Sequence, residues 1–285
     1  MFDTLLQGLL LGGLYALFAL GLSVMFGVMR LTNIAQGDFI VLAAFAATAL
    51  APLLGGRTVL AALLLLPLAG VLGHQLQWHL LNRTVGRDPL PSLVVTFGLS
   101  IVVQNGLQEA FSADPRALDS GGLNTASVML GDTPVGVLPL LILACAVGAT
   151  AGLQWLFGHT ALGRAFRAVS DDQEIAALMG LEPRRVFALA TGLAFGLIAL
   201  AGVFQALRTT VAPADGPLLL LFAFEAVIIG GMGSFWGTFL GALVLGLMQQ
   251  VGFTLDPGWG LWFGHLVFLA VLVVRPQGLF PKTAV

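Results

Sequence analysis

The sequence predicts an all-α membrane protein, a polytopic bundle of eight or nine transmembrane helices. Only 9% of its 285 residues are Asp, Glu, Lys or Arg, and 58% are apolar. Soluble domains carry about 25% charged residues, so a water-soluble fold of this length would have too few charges to cover its surface. Long apolar stretches also follow one another between the charges, and about 20 mostly apolar residues cross a bilayer. The net charge of −2 gives no indication of nucleic-acid binding.

Five apolar stretches form the first part of the predicted bundle. They are residues 4–29, 39–56, 58–82, 89–108 and 133–163. The first stretch has no basic segment before it and is too long for the apolar part of a signal peptide, so we expect it to be a membrane span. The second stretch begins with polar residues, and residues 39–51 are therefore predicted to be a re-entrant or broken helix if they do not cross fully.

The remaining spans are separated by a glycine-rich turn. They are residues 186–207, a span from about 217 to the turn, a span of about 236–253, and residues 257–274. The turn extends from Gly230 to Ser234 and contains three glycines, which favour a chain reversal. Without the turn, the apolar stretch on both sides of it would be too long for one crossing.

Most basic residues fall on one side of a nine-span bundle. These residues are Arg30, Arg83, Arg87, Arg164, Arg167, Arg184, Arg185, Arg275 and Lys282. Cytoplasmic loops of membrane proteins carry an excess of Lys and Arg. We therefore expect a cytoplasmic C-terminus, with the N-terminus outside for nine spans and inside for eight. In this single domain of residues 1–285, residues 111–136 form the predicted external loop and residues 159–186 the predicted cytoplasmic loop.

The polar segment from Arg30 to Asp38, between the first two apolar stretches, allows two interpretations. In the first, it is a broken helix within the membrane whose Thr32, Asn33 and Gln36 face a solute path. Non-helical backbone is tolerated at that depth only where protein or water covers it. In the second, it is a solvated cytoplasmic turn, in which Asn33 or Thr32 caps a helix and Arg30 pairs with Asp38.

The cytoplasmic loop contains the pattern of a short, capped helix. Ser170 followed by Gln173 fits a capping box, which predicts a helix that begins near Asp171. Gly180 suits the C-terminal end of such a helix. The acidic residues placed in its first turn, where the helix dipole favours negative charge, are Asp171, Asp172 and Glu174. The apolar stripe along one face consists of Ile175, Leu178 and Met179. Such a stripe is typical of a helix that binds a groove in a partner, and the alternative is a connector lying on the lipid surface.

Two spans contain polar residues at membrane depth. Glu225 precedes the glycine turn, and an intramembrane carboxylate is a functional-site hypothesis by default. Two other interpretations of Glu225 are a protonated side chain that is hydrogen-bonded between helices, and a shallower position in the membrane. Thr96, Ser100 and Gln104 recur at four-residue spacing and share one helix face. This face predicts either a polar path or interhelical hydrogen bonds.

Glycines recur at four-residue spacing in several spans. The pairs are Gly8/Gly12, Gly148/Gly152, Gly192/Gly196, Gly237/Gly241 and Gly260/Gly264. Because two glycines one turn apart share a face, each pair predicts the close approach of another helix. The alternative is a glycine in a broken helix beside a path. The sequence contains no phosphate-binding loop, nucleophile elbow or metal-binding run, which argues against an intrinsic ATPase, and we predict no catalytic residues.

Four blocks of the sequence resemble the branched-chain amino-acid ABC transporter permease family. The first block is GLLLGGLYAL at residues 8–17 followed by FGVMRLTNIAQGDF at residues 26–39. The second is GRAFRAVSDD at residues 163–172 with AALMGL at residues 176–181. The third is GGMGSFWGTFLGA at residues 230–242, and the fourth is RPQGLF at residues 275–280. Their order covers nearly the whole chain, and the four together are specific to the family.

The resemblance implies a permease subunit of an ATP-driven importer in the bacterial inner membrane, for branched-chain or related amino acids. The implied partners are a second, related permease, two cytoplasmic ATPases and a periplasmic solute-binding protein, with membrane lipid around the bundle. This chain would bind no cofactor, because the partner subunits use the ATP. The implied docking element for the ATPase is the cytoplasmic loop, through Arg164, Arg167, Asp171, Asp172, Glu174, Ile175, Leu178 and Gly180. Polar residues predicted along the solute path are Asn33, Gln36, Thr96, Gln104 and Glu225.

Two departures from the family pattern leave the solute open. Family members often have His where Gln36 stands, and a small or neutral residue where Glu225 stands. The family also includes permeases for urea and short amides, which is the first alternative. The second alternative comes from another class, an ion-coupled secondary transporter that uses Glu225 without an ATPase.

Overall fold

The computed structural model of the chain describes residues 2–86, 88–130 and 133–280, which form eleven α-helices and one β-hairpin. The helices are α1 (Phe2–Met29), α2 (Gln36–Leu53), α3 (Thr58–His79), α4 (Leu90–Phe111), α5 (Val137–His159), α6 (Ala161–Asp171), α7 (Gln173–Leu178), α8 (Pro183–Arg208), α9 (Gly216–Gly230), α10 (Phe235–Leu255) and α11 (Gly260–Val274). Strands β1 (Ser127–Leu130) and β2 (Thr133–Gly136) pair antiparallel. Arg87 and Lys282, used above to predict orientation, lie outside the described residues.

The described chain crosses the bundle nine times. Eight helical segments are long and apolar enough to cross a membrane, and α11 is a shorter apolar helix of 15 residues. Helix α11 runs antiparallel to α10. Gly260 at the start of α11 lies against Phe253 near the end of α10, and Gly264 lies against Leu245, about two turns earlier in α10. The chain then reaches the end of α9, where the Leu279 N–H donates to the Ile229 carbonyl at 2.8 Å. The structure therefore confirms the predicted all-α membrane bundle.

The two ends of the bundle differ in charge. One end carries α6 and α7 and is called the α6–α7 end; the other carries β1 and β2 and is called the hairpin end. The described basic residues at the α6–α7 end are Arg30, Arg83, Arg164, Arg167, Arg184, Arg185 and Arg275. Those at the hairpin end are Arg57, Arg116 and Arg208. This distribution agrees with the one predicted for nine spans.

Helix α1 lies at the centre of the bundle, whereas α3, α4 and α5 lie at its outer surface. Most of α1 is buried, mainly against α10 and α8, whereas little of α3, α4 and α5 is buried and their exposed side chains are largely apolar. At Gly12, a Cβ atom would lie 2.6 Å from Leu243 Cα, so glycine is what lets α1 and α10 touch.

The prediction of close packing at every glycine pair is wrong for Gly148 and Gly152. In the described part of the chain, no atom lies within 4 Å of a Cβ placed on either residue. The four-residue spacing specifies that two glycines share a face, but it does not specify that another helix faces them. This face of α5 belongs to the apolar outer surface of the bundle.

Candidate functional site

The segment between α1 and α2 is non-helical and enters the bundle. Arg30 adopts the left-handed backbone conformation (φ 52°), which ends α1, and residues 30–35 then form the α1–α2 segment. Gln36, the first residue of α2, donates from Nε2 to the Phe18 carbonyl at 2.6 Å. Phe18 lies 11 residues before the end of α1 at Met29, about 16 Å along the helix axis at the usual rise of 1.5 Å per residue. Helix α2 therefore begins deep within the bundle.

The structure supports the broken-helix interpretation of this segment. Asn33 and Gln36 are fully buried, which a solvated turn would not produce. The predicted pair between Arg30 and Asp38 is wrong, because Arg30 is exposed at the α6–α7 end while Asp38 is buried beside α4. Asn33 makes a local hydrogen bond, in which its Oδ1 accepts the Ala35 N–H at 3.1 Å just before α2 begins.

Asp38 is a buried carboxylate that the sequence analysis placed in a surface ion pair. Ser100 Oγ of α4 donates to Asp38 Oδ2 at 2.5 Å. Asp38 Oδ1 has no hydrogen-bond partner among the described residues and lies against Gly216, where a Cβ would overlap it. The sequence contained one signal for this contact, because Ser and Thr side chains on one face of α4 favour a polar partner on a neighbouring helix.

Helix α4 turns its Ser and Thr side chains inward, as the spacing predicted. Ser100 makes an interhelical hydrogen bond, whereas the Thr96 hydroxyl donates within α4 to the Ser92 carbonyl at 2.8 Å. Gln104, one turn nearer the hairpin end, is half-buried. The structure thus brings Asn33, Gln36 and the α4 face to neighbouring positions around the start of α2.

Glu225 lies in a separate polar cluster formed by α1, α9, α10 and α11. Its side chain is 1% exposed, and its Oε1 lies 2.5 Å from His265 Nδ1. The Tyr15 hydroxyl donates to Gln249 Oε1 at 2.6 Å, and the Tyr15 ring stacks on Phe222, one turn before Glu225. The deep position predicted for Glu225 agrees with the structure, but no described contact joins it to Asn33 or Gln36. His265 and Gln249 were missed because no spacing relates them to Glu225.

The short helix predicted to begin near Asp171 is present as α7, but the predicted capping residue is wrong. The chain is already helical in α6 up to Asp171, and a break at Asp172 separates α6 from α7. Asp172 Oδ1 caps α7 by accepting the N–H groups of Glu174 and Ile175 at 2.8 and 3.0 Å. Ser170 does not cap a helix, because its hydroxyl donates to the Gly27 carbonyl at 2.8 Å instead.

The predicted end and apolar stripe of that helix agree with the structure. Gly180 has a left-handed backbone (φ 87°) just beyond α7, and it and Leu181 donate to the Ala177 and Ala176 carbonyls at 3.0 Å. This pair of hydrogen bonds is a Schellman end, which favours glycine. The stripe points away from the bundle: Ile175, Leu178 and Met179 are 60%, 87% and 80% exposed.

The charged residues of the loop divide into two groups. Arg167 is partly buried, and its guanidinium donates to the Phe157 carbonyl, which fixes α6 to the end of α5. The exposed charged residues of α6 and α7 are Arg164, Asp171, Asp172 and Glu174. The exposed group surrounds the apolar stripe, so α7 presents an apolar centre with a charged rim.

A cavity of about 770 Å³ lies at the α6–α7 end, between three elements. The α1–α2 segment contributes Arg30 and Thr32, the start of α4 contributes Ser92, and the α6–α7 junction contributes Asp171 and Glu174. The cavity is therefore polar, and it borders the α1–α2 segment as far as Thr32. Among the described residues, no cluster of three or more His, Cys, Asp or Glu side chains is able to hold a metal ion.

Comparisons with known proteins match nearly the whole chain. Residues 4–275 match the family model described as branched-chain amino acid transport system / permease component. The chain is 26% identical to the high-affinity branched-chain amino acid transport system permease protein BraD of Pseudomonas aeruginosa, over 99% of this chain and 96% of that protein. It is 24% identical to the corresponding permease protein LivH of Escherichia coli, again over 99% and 96%.

A solved structure shows the same fold. The structure of PsaBC from Streptococcus pneumoniae in complex with Fab matches with a TM-score of 0.52, covering 96% of this chain and 92% of the matched chain. The sequence identity is 12%, so this likeness concerns the fold alone.

Proposed function

The chain belongs to the family of branched-chain amino acid transport system permease components, and we propose that it forms the solute path of an ATP-binding-cassette importer for branched-chain or related amino acids. One observation carries the proposal: a multi-pass permease of this family has a short helix, α7, whose apolar face points out of the bundle. ATP would be bound and hydrolysed by separate subunits, and this chain would bind no cofactor.

The proposed docking site for an ATPase subunit is the exposed face of α7. Burial of an apolar side chain of this size contributes about 1.5–3 kcal/mol, which an exposed Ile175 or Leu178 forgoes in water. A groove of about 540 Å³ between α6 and α7, lined by Ala165, Ala168 and Met179, adds apolar surface beside it. The charged rim around the stripe would set the orientation of the partner rather than supply most of the affinity.

The proposed solute path passes the buried start of α2 and ends in the cavity at the α6–α7 end. Asn33 and Gln36 lie beside a backbone break inside the bundle, and such breaks are tolerated at this depth where they line a cavity. Thr96 and Gln104 would extend the path along α4 towards the hairpin end. A second, related permease and lipid would cover the apolar outer surface of α3, α4 and α5.

The proposed orientation places the α6–α7 end in the cytoplasm of a bacterial cell and the hairpin end in the periplasm. Most of the described arginines lie at the α6–α7 end, as the excess of positive charge in cytoplasmic loops requires. The C-terminus would then be cytoplasmic, and a periplasmic solute-binding protein would approach the hairpin end.

Reconstituted transport tests this proposal. The chain is purified with its copurifying subunits and binding protein, placed in proteoliposomes, and given radiolabelled leucine with and without ATP. We expect uptake only with ATP, and competition by unlabelled isoleucine but not by urea. Competition by urea alone would favour the alternative in the same family. No ATP-dependent uptake of any of these solutes would contradict the proposal.

The buried Glu225–His265 pair favours one rival, an ion-coupled secondary transporter. A carboxylate inside a membrane is a common element of ion coupling. The same vesicles distinguish the two functions when an ion gradient replaces ATP. Uptake driven by the gradient and lost in Glu225→Gln would favour the rival, whereas uptake that needs ATP and persists in Glu225→Gln would favour the importer.

A further inference from the structure

One hydrogen bond ties the α6–α7 junction to the end of α1. Ser170 Oγ donates to the Gly27 carbonyl at 2.8 Å, two residues before α1 ends at Met29. The preceding residues Phe166 and Val169 are almost fully buried, so the last turns of α6 are packed onto the bundle. Any displacement of α6 therefore acts on α1 immediately before the α1–α2 segment.

The joint between α1 and the α1–α2 segment is strained and has room to move. Arg30 holds a left-handed backbone conformation without being glycine, which costs about 1 kcal/mol or more. The cavity of about 770 Å³ separates the α1–α2 segment from the α6–α7 junction, and both line it. Because open space rather than packed side chains separates them, these two elements can approach without repacking the core.

From this geometry we infer that the α1–α2 segment is the inner gate of the solute path, and that Ser170 links it to the α6–α7 junction. The inference rests on the proposed function, because it takes ATPase docking on α7 as the source of the movement. A docked ATPase displaces α7, and α6 follows as its covalent neighbour. The Ser170–Gly27 hydrogen bond then moves the end of α1, and Thr32 changes its access to the cavity.

A labelling experiment on the assembled complex tests both parts of the inference. Cys145→Ala removes the chain's one cysteine, and Thr32→Cys places a reporter on the α1–α2 segment where it lines the cavity. The rate of reaction with a charged maleimide is measured without nucleotide and with ATP plus vanadate. We expect the two rates to differ by about fivefold or more, the lower end of typical coupling between sites.

Variants at the two ends of α6 distinguish a loss of coupling between the ATPase and the α1–α2 segment from a loss of stability. In Ser170→Ala, we expect the nucleotide-dependent difference in rate to fall below about twofold, the ATPase to remain bound and hydrolysing, and uptake to fall accordingly. Ser170→Thr keeps the hydroxyl and should restore the difference. The matched control is Thr160→Ala, which removes the hydroxyl that caps α6 at its other end and touches only α5 and α6. This control should lower the melting temperature and leave the difference in rate intact.

The outcomes distinguish the inference from the proposed function. If nucleotide does not change the maleimide labelling rate of Thr32→Cys in the complex that retains Ser170, the α1–α2 segment is not the gate. A full response in Ser170→Ala, or an equal loss in Thr160→Ala, would overturn the role of Ser170. If the chain with Ser170 recovers no ATPase, the proposed function itself is contradicted and the inference falls with it.

Discussion

The α1–α2 segment with the start of α2 buries polar side chains inside a membrane bundle, whereas α7 exposes apolar side chains at its surface. The first region places polar side chains where the interior of a membrane bundle favours apolar ones, and the second places apolar side chains where a hydrated surface favours polar ones. A buried polar atom without a partner costs about 1–3 kcal/mol, and Gln36 Oε1 and Asp38 Oδ1 are two such atoms in the described chain. The exposed Leu178 and Met179 forgo a similar free energy of burial.

The two regions are incomplete for different reasons. The start of α2 lacks polar partners, which a hydrated solute would supply in passing. Helix α7 lacks an apolar partner, which a docked protein would supply permanently or in each cycle. Substitutions should therefore separate the two: changes at α7 should abolish assembly, and changes at α2 should reduce transport within an intact assembly.

The largest expected effect comes from charge on the α7 stripe. Ile175→Asp with Leu178→Asp removes two apolar contacts and buries two unpaired charges, which should cost about 3 kcal/mol or more and lower ATPase affinity over a hundredfold. Copurification of the ATPase and ATP-driven uptake should both be lost, while the chain remains folded in membranes.

The control for this variant is Glu182→Lys with Arg185→Glu, an exchange that keeps an exposed ion pair in the same loop. Surface pairs contribute about 1 kcal/mol or less, so the control should assemble and transport nearly normally. Normal copurification of the ATPase with the Ile175/Leu178 variant would contradict the docking assignment.

The second effect concerns the polar cluster in which Glu225 pairs with His265, although Glu225 Oε2 and Gln249 Nε2 have no hydrogen-bond partner among the described residues. Glu225→Ala leaves His265 without its carboxylate between α9 and α11, and breaking a buried pair costs about 3 kcal/mol. We expect a lower melting temperature in detergent, but unchanged ATP-driven uptake per folded molecule. The double variant Glu225→Gln/His265→Gln should recover part of the stability in a double-mutant cycle. Loss of uptake at full stability would assign Glu225 to the path instead.

The third effect is on transport alone. Gln36→Leu keeps the approximate size of the side chain but removes its polar atoms from the proposed path, and we expect uptake to fall about tenfold, which corresponds to 1.4 kcal/mol. Copurification of the ATPase should not change. The matched control is Gln205→Leu, which changes a half-buried glutamine of α8 whose side chain donates to Thr209, and it should transport normally. Equal losses in both variants would contradict a path at Gln36.

The smallest effect distinguishes two glycines that look alike in sequence. Gly148→Ala meets no described atom and should stabilise α5 by up to about 0.8 kcal/mol through helix propensity. Gly12→Ala would force α1 away from Leu243 and should destabilise the chain by about 1–3 kcal/mol. Thermal unfolding of the two variants in detergent measures the difference, and a stabilised Gly12→Ala would contradict the close α1–α10 contact.

Much of the fold was predictable from composition and local pattern. Apolar stretches located the spans, because a hydrocarbon environment imposes their length. Gly180 and the stripe of Ile175, Leu178 and Met179 were predictable because helix ends and faces depend on neighbours within a few residues. The hairpin of β1 and β2 was not predicted, since short strands in a polar loop have no distinctive period.

Contacts between distant parts of the chain were not predictable. Ser170 had the spacing of a capping residue, yet its hydroxyl is used by Gly27, 143 residues away. Asp38 had a nearby Arg30 of opposite charge, yet burial of α2 placed it beside Ser100, 62 residues away. In each case a tertiary contact displaced the local one, and the residues next to Ser170 and Asp38 in the sequence do not show which contact prevails.

The most direct test of the central claim is recovery of the tagged chain from its native membrane in mild detergent, followed by mass spectrometry of what accompanies it. We expect two ATPase chains and a second permease in the wild-type sample, and loss of the ATPases in the Ile175→Asp/Leu178→Asp variant. Recovery of this chain alone, under conditions that keep other membrane complexes intact, would contradict the proposed importer.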